Sequence, residues 1–188
     1  MRLLRLVLIR RGDFATDAGL LCLWSRSAFA MIDDYDSWEK ELLEEREIRR
    51  HIKAGDFVPI KINADGCFGC ELRIGTSNTP VALTDREAKY CVVKSEPYLF
   101  VSSGTLCVSG IEHVHGTPDE PVGVLKVPKG RYAVTVHLIG WDDEPGMKDK
   151  QGNPKKGALP DFVVLVNSEV KADRKYRAKV ETFAPPPE

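Results

Sequence analysis

The spacing of apolar residues changes at Gly55, and this change constrains the fold more than any other feature of the sequence. Over residues 37–54 apolar residues recur every three to four positions, which is the period of one helix face. After Gly55 they recur at every second position, which is the period of a half-buried strand. The later segments are short, and clusters of Gly, Pro, Ser, Thr and Asn separate them. The sequence therefore predicts one helix followed by many short strands.

This order of elements favours a mainly β fold, either an antiparallel β-sandwich or a jelly-roll-like barrel, with one N-terminal amphipathic helix. The predicted strands cover residues 57–62, 68–74, 81–83, 90–93, 98–101, 106–108, 122–127, 131–139, 162–166 and 176–180. The turn sequence Ala64-Asp65-Gly66 predicts that the first two of them pair as a hairpin. A chain of 188 residues is long enough to bury one core without disulfides.

The predicted helix spans residues 37–54. Asp36 stands three residues before Glu39, the spacing of a capping box at a helix N-terminus. Carboxylates crowd the start and basic residues crowd the end, the order that the helix dipole favours, and Gly55 is expected to end the helix. Glu45 and Arg49 are four residues apart and are expected to pair. The apolar stripe, which is expected to pack on the protein's own core, consists of Trp38, Leu42, Ile48 and Ile52.

The first thirty residues differ in composition from the rest of the chain. They contain five Arg, no Lys and two acidic residues, so they contribute +3 to a net charge of -1. Arg10 and Arg11, a short apolar stretch at 19–24 and small residues at 28–30 make a secretory signal peptide one interpretation. A native N-terminal strand or helix is a second interpretation. The favoured one is an upstream extension, with Met31 as the natural start.

The expected domain division follows from this interpretation. Residues 1–30 are a leader or extension that is not native or is poorly ordered, residues 31–183 form a single β-rich domain, and residues 184–188 are a Pro-rich tail. From Met31 onward the chain carries a net charge of -4, and seven carboxylates lie between positions 33 and 45.

The charge balance and the cysteine count bound the function. With 27 basic and 28 acidic residues, the chain has no general attraction for nucleic acid or anionic lipid. No apolar run reaches the length of about 18 residues that a membrane-spanning helix needs. The five cysteines are odd in number and irregularly spaced, which favours reduced thiols and a cytoplasmic protein. If residues 1–30 are a signal peptide, the location is secreted or periplasmic instead.

The sequence contains few motifs typical of catalytic sites. It therefore favours a binding protein over an enzyme, and no catalytic residue is assigned. It contains no nucleophile elbow and no glycine-rich phosphate loop. Cys67 and Cys70 have the spacing of a redox or zinc pair. Three positions along a strand place the two thiols on opposite faces, so we expect them to be ordinary strand residues.

A metal site is the alternative function. His113 and His115 lie two residues apart, a spacing that puts both rings on one face of a strand, and Glu120 follows. With Pro128-Lys129-Gly130 further on, this pattern resembles the metal motifs of the cupins. The resemblance implies a cupin-like barrel, an enzyme or a small-ligand binder, with a divalent metal on His113, His115 and Glu120, and His137 as a further candidate. His137 lies seven residues after the glycine, where the cupin motif has three. If the cupin-like interpretation does not hold, no cofactor is expected.

A second resemblance covers residues 122–167. A Pro-x-Gly-x-Tyr-x-Val strand start at Pro128 is followed by the acidic segment 141–145 and by a partner strand from Pro160. This arrangement resembles small bacterial immunity and nuclease-inhibitor-type β-sandwich proteins such as competence protein J. The resemblance implies a stoichiometric inhibitor that covers a nuclease or toxin with an acidic surface.

Four residues are the candidate partner-binding site under this reading. Trp141 is of the residue type that most often dominates binding energy at protein interfaces. Asp142, Asp143 and Glu144 follow it directly, and their carboxylates are expected to steer a basic partner toward the loop. The predicted partner is therefore another protein with a basic surface, and neither nucleic acid nor a membrane.

Overall fold

The alternating segments fold into two β-sheets in a computed structural model, which describes residues 8–117, 122–170 and 175–184. The strands are β1 (Leu8–Thr16), β2 (Leu20–Trp24), β3 (Phe57–Lys61), β4 (Gly66–Ile74), β5 (Cys91–Lys94), β6 (Tyr98–Ser102), β7 (Thr105–Gly110), β8 (Gly123–Lys126), β9 (Gly130–Ile139) and β10 (Phe162–Ser168). The helices are α1 (Tyr35–Leu42), α2 (Glu45–Ala54) and α3 (Asp85–Lys89), with 3-10 turns at Ile111–His113 and Trp141–Asp143. None of the described helices has the length and apolar character needed to cross a membrane.

The two sheets have six and four strands. The larger sheet has the order β1-β4-β10-β9-β5, and β6 also pairs with β9. The smaller sheet has the order β3-β2-β7-β8. The named strand pairs are antiparallel except for β4 and β10, which run parallel with Phe162 opposite Cys70 and Val166 opposite Ile74. The predicted mainly β, sandwich-like architecture is confirmed.

β10 is a deeply buried strand in the middle of the larger sheet. Its first five residues are all buried because both of its faces are covered. Phe162, Val164 and Val166 belong to the main core, and Val163 and Leu165 to a smaller cluster with Ile139 and Leu159. Burial on both faces explains why this strand reads as a continuous apolar run.

Residues 8–30 belong to the same core, which differs from the expected division at residue 30. β2 lies between β3 and β7, and all five of its residues are buried. The indole N–H of Trp24 donates to Ser109 Oγ at 3.1 Å, and Phe29 is fully buried. Apolar and polar residues do not alternate in β2 because both of its faces are covered, so no strand period is visible in this segment. Residues 1–7 and 185–188 lie outside the described residues.

The structure has two helices where one was predicted, and Leu43 and Glu44 separate them. Asp34, not Asp36, caps α1: its carboxylate accepts from the Ser37 backbone N–H at 2.8 Å. Glu45 and Arg49 do not pair among the described residues. As predicted, Gly55 ends the second helix, with a left-handed φ of 84° that favours glycine.

The carboxylate of Glu41, in α1, bridges the two helices. It accepts a hydrogen bond from Arg50 at 2.5 Å and lies 3.0 Å from Nε2 of the buried His51. The bend after α1 therefore places one acidic side chain against two basic ones of α2.

The predicted hairpin around Ala64 is not formed. β3 pairs with β2 in the smaller sheet, whereas β4 pairs with β1 and β10 in the larger one. The chain crosses between the sheets at Asn63, which has a φ of 59°, and the backbone N–H groups of Ile62 and Asn63 both donate to Gly19 O. The turn sequence is thus a crossover rather than a hairpin.

Two further predicted strands are absent from the described residues. Segment 81–83 is held by the side chain of Asn167, which accepts from the Val81 backbone N–H at 2.8 Å and donates to the Val81 carbonyl at 3.0 Å. Residues 176–180 form no strand, although Thr182 bridges to Lys61 on the edge of β3. In segment 81–83 the backbone is bonded to the side chains of Asn167 and Arg73, and in segment 176–180 to Pro97 and Tyr98, instead of to a neighbouring strand.

Candidate protein-binding site

Trp141, the expected contact residue, is half-buried where β9 ends. Its indole N–H donates to Asp161 Oδ1 at 2.8 Å, and its ring packs on the small cluster behind β10. The other oxygen of Asp161 accepts from the Gly69 backbone N–H at 2.6 Å. These contacts give Trp141 a role in holding the loop against the sheet.

The carboxylates beside Trp141 have basic neighbours. Glu144 accepts two hydrogen bonds from Arg86, at 2.8 and 2.6 Å, and this pairing lowers the pKa of Glu144. Asp142 lies 3.1 Å from the ammonium of Lys148, and Asp143 is exposed. Residues 141–161 as a whole contain five acidic residues and four lysines. The loop is therefore much less negative than the segment 142–144 alone indicates, and its role in binding stays a prediction.

A Trp141→Phe variant tests the structural role of this indole. It keeps an aromatic ring and removes the hydrogen bond to Asp161, so we expect the free energy of unfolding to fall by about 1 kcal/mol in urea denaturation. Asp143→Asn, at an exposed neighbour, is the control and should change it by less than about 0.5 kcal/mol. Equal stability of both variants would show that the indole hydrogen bond does not anchor the loop.

The structure does not place the histidine pair on a strand. His113 ends a 3-10 turn, and His115 follows in irregular backbone, where its Nδ1 accepts from the Thr117 backbone N–H at 3.2 Å. Glu120 lies outside the described residues. The shared strand face on which the metal prediction depended is therefore absent.

His137 lies in β9, buried, with its Nδ1 3.1 Å from the carbonyl oxygen of Val163. Burial lowers the pKa of its imidazole. Cys67 is exposed and Cys70 buried, a difference that agrees with two thiols on opposite faces of a strand. Within residues 8–117, 122–170 and 175–184, no three His, Cys, Asp or Glu side chains are grouped to hold a metal ion. The metal site stays a prediction.

A different surface, at the start of α1, combines exposed apolar side chains with carboxylates. Tyr35 is 67% exposed and Met31 is 70% exposed. The ring of Tyr35 stacks on Trp38 with centroids 5.9 Å apart, and the Trp38 indole N–H donates to the carbonyl of Ile111 at 2.9 Å. We call this the α1 surface, and it comprises Met31, Asp33, Asp34, Tyr35, Asp36, Trp38 and Glu112.

A groove of about 290 Å³ crosses the α1 surface, between the helix and residues 112–115. Tyr35, Trp38 and Val114 supply its apolar walls, and Asp34 and Glu112 stand beside them. The hydrogen bond of Trp38 fixes one wall, so the groove exists before any partner arrives. Such a groove suits an apolar side chain of another protein.

The rim of the α1 surface keeps its negative charge. Asp33 and Asp36 are exposed, as is the adjoining Glu39 outside this surface, and none of the three forms an ion pair with a described basic side chain. Hydrogen bonds from the Ser37 hydroxyl and backbone N–H lower the pKa of Asp34. Apolar contacts inside an acidic rim are the arrangement that binds a basic protein surface.

Sequence patterns indicated the acidic part of this surface but not its apolar part. The seven carboxylates between positions 33 and 45 are visible in the sequence. Tyr35 and Met31 are not part of the apolar stripe of the predicted helix. Their position outside this stripe is the sequence feature that indicates exposed side chains.

The comparisons with known proteins show a shared fold. No family model and no curated protein matches the chain. One similar solved structure is the crocagin biosynthetic gene J protein, with a TM-score of 0.57 at 16% identity over 87% of this chain and 99% of that one. Another is ComJ from Bacillus subtilis, described as an inhibitor of the DNA-degrading activity of NucA, with a TM-score of 0.51 at 9% identity and the same coverage. The resemblance to ComJ-type proteins, predicted from residues 122–167, is confirmed as one of fold.

Proposed function

We propose that the chain is a protein-binding β-sandwich that acts as a stoichiometric inhibitor, or immunity protein, of a nuclease or toxin. The fold it shares with ComJ, which inhibits a DNA-degrading enzyme, supports this class of function. The observation that carries the proposal is the α1 surface, where Met31 and Tyr35 are exposed in the same segment as the exposed carboxylates of Asp33, Asp34 and Asp36. Its partner is a protein with a basic surface.

The chemistry of the α1 surface fits the target class. An enzyme that cleaves nucleic acid carries basic side chains where it binds phosphates. Unpaired carboxylates such as Asp36 speed the encounter with such a surface and occupy it in place of phosphates. Tyr35 supplies the large, two-torsion side chain that loses little entropy on binding. Electrostatics would thus set the rate of association, and the aromatic contact would slow dissociation.

The thiols are consistent with a reducing location, and we place the protein in the cytoplasm. All five cysteines are free. Burial raises the pKa of Cys70 to about 12 and that of Cys107 to about 11, so both thiols stay protonated and unreactive.

Two double variants test which surface binds. Tyr35→Ala with Asp36→Lys alters the α1 surface, and Asp142→Lys with Asp143→Lys alters the loop at similarly exposed positions. The tagged chain is used to capture proteins from an extract of its own source organism, and the captured protein is purified. We expect one-to-one inhibition of its DNA-degrading or toxic activity, with affinity reduced about 100-fold by the α1 variant. The loop variant should retain affinity within about threefold.

Two results would contradict the proposal. If the loop variant loses inhibition and the α1 variant keeps it, the binding site is the loop. If the purified chain captures no enzyme or toxin, or inhibits none that it captures, the inhibitor function is rejected.

A further inference from the structure

A second groove, of about 580 Å³, lies between α2 and the C-terminal segment 175–179. Five cationic side chains and one carboxylate, that of Glu96, line it, although the chain as a whole has a net charge of -1. We call it the basic groove. Its cationic side chains are Arg49 and Lys53 from the helix and Lys175, Arg177 and Lys179 from the C-terminal segment.

Most of this positive charge is not neutralised. Arg177 lies 3.4 Å from the carboxylate of Glu96 and 3.2 Å from that of Glu181. In the part of the chain that the structure describes, the other four cationic side chains have no carboxylate within ion-pair distance. Four like charges in one concave surface repel each other and concentrate a positive potential there.

Both walls of the groove are held by the fold. On the helix side, Ile48 and Ile52 anchor α2 in the core. On the other side, the Arg177 backbone N–H donates to the Pro97 carbonyl at 2.9 Å, and the hydroxyl of Tyr98 donates to the Lys179 carbonyl at 2.8 Å. The cations are therefore presented from two fixed backbones.

The tyrosine of the second anchor is buried. Burial raises the pKa of Tyr98 to about 12, so its hydroxyl remains a donor well above neutral pH. Further along the segment, Phe183 is 1% exposed and its backbone N–H donates to the Lys61 carbonyl at 2.7 Å. A ligand held by Lys175 or Lys179 thus meets a wall that is already ordered.

We propose that the basic groove binds a small polyanion that carries two or more neighbouring phosphate or carboxylate groups. Its volume is within the range of small-ligand sites, about 300–1,000 Å³. Guanidinium groups bind such oxygens through paired hydrogen bonds, and ammonium groups bind them as point charges. Neighbouring anionic groups on one ligand would reach both walls at once and relieve the repulsion between them. This site shares no residue with the α1 surface, so it does not depend on the proposed function.

Calorimetric titration of the full chain with sodium tripolyphosphate, and separately with citrate, tests the proposal and distinguishes the two ligand chemistries. We expect saturable one-to-one binding of at least one of them, weakened by about tenfold or more between 50 and 200 mM NaCl. Stronger binding of tripolyphosphate would identify phosphate as the recognised group, and stronger binding of citrate would identify carboxylate.

Matched variants locate the binding to the groove. Arg49→Glu should weaken it about tenfold or more, whereas Arg46→Glu, on the same helix with a side chain 90% exposed, should change it less than about twofold. Lys179→Glu, on the opposite wall, repeats the test independently of the helix. Thermal unfolding without anion, within about 2 °C of the wild type, verifies that each variant is folded. Absence of saturable binding, or equal losses in Arg46→Glu and Arg49→Glu, would overturn the proposal.

Discussion

A chain shortened to begin at Met31 should not fold. The deletion removes β1, which is the edge strand of the larger sheet, and β2, which lies between two strands of the smaller one. Without β2, strands β3 and β7 lose the partner that both are paired with. We expect the shortened chain to be insoluble, or to show no cooperative unfolding transition by circular dichroism.

The expected effect is large because of what β2 buries. Leu21, Leu23 and Trp24 are fully buried in the main core. Burial of one such side chain contributes about 1.5–3 kcal/mol, and a whole domain is stable by only about 5–15 kcal/mol. With Phe14 and Phe29 these five buried side chains contribute about 7.5–15 kcal/mol, which is as large as that whole margin.

Point variants separate this effect from a general sensitivity of the N-terminal region. Trp24→Ala should lower the free energy of unfolding by about 3–5 kcal/mol in the full chain. Ile9→Ala, on β1 but 57% exposed, should lower it by less than about 0.5 kcal/mol. A folded, cooperative protein that begins at Met31 would contradict the role assigned to β1 and β2.

An Arg73→Met variant should also be strongly destabilised. Arg73, on β4, is only 8% exposed and pairs through its guanidinium with the carboxylates of Glu71 and Glu87. Its Nη1 also donates to Glu87 at 2.8 Å and to the Ala82 carbonyl at 2.9 Å. Loss of the cation leaves the 3%-exposed Glu87 carboxylate buried without its partner, at a cost of about 3–5 kcal/mol in the free energy of unfolding.

The matched control removes both charges. In an Arg73→Met, Glu87→Leu double variant only the more exposed Glu71 carboxylate loses its cation, so the variant should recover much of the stability lost by Arg73→Met. Urea denaturation of the wild type and the variants measures the difference. A double variant that is less stable than Arg73→Met would contradict the account.

The pH dependence of the stability difference between the wild type and Arg73→Met is a second test of the ion pairs of Arg73. Burial of Glu87 acts to raise its pKa, but hydrogen bonds from Arg73 and Thr84 outweigh it, so the pKa of Glu87 is lowered. A lowered folded-state pKa gives stability that is present above the unfolded value, about 4.3, and is lost as the pH falls through the folded value. The wild type should lose that contribution in acid, whereas Arg73→Met lacks it already. The difference in free energy of unfolding between the wild type and Arg73→Met should therefore become smaller below about pH 4.

Sequence patterns predicted the alternating strand β9, the continuous apolar run of β10 and the glycine that ends α2. β9 and β10 pair as expected, with Val136 opposite Val164, and Gly55 ends α2. Sequence patterns did not show that β3 and β4 pair with other strands instead of with each other. A tight turn and two alternating segments fit both a hairpin and a crossover, and the choice depends on β2 and β10, which lie far away in the chain.

Helix α3 was missed although its capping box is visible. Thr84 and Glu87 have the required spacing, and both reciprocal hydrogen bonds are present. The helix has only five residues, too few for a helical period to appear. Short helices are thus better indicated by their caps than by their apolar residues.

The loop site around Trp141 was only partly predictable from the sequence, because folding pairs its polar groups with residues that are distant in the chain. Arg86 and Glu144 are 58 residues apart, and Trp141 and Asp161 are 20 apart, yet each pair is hydrogen-bonded. No local pattern shows that Glu144 is neutralised or that Trp141 is held in place. In contrast, the carboxylates at the start of α1 are near one another in the sequence, and their excess of charge was readable.

The parallel pairing of β4 with β10 has a consequence for synthesis on the ribosome. β1 and β4 are complete by residue 74, and β5, β6 and β9 by residue 139, but β10, which joins the two groups, ends only at residue 168. Until then β4 and β9 each present an unpaired edge, and such edges are prone to aggregate. Folding of the larger sheet is therefore expected to be late and slow, and to depend on the rate at which the last part of the chain is made.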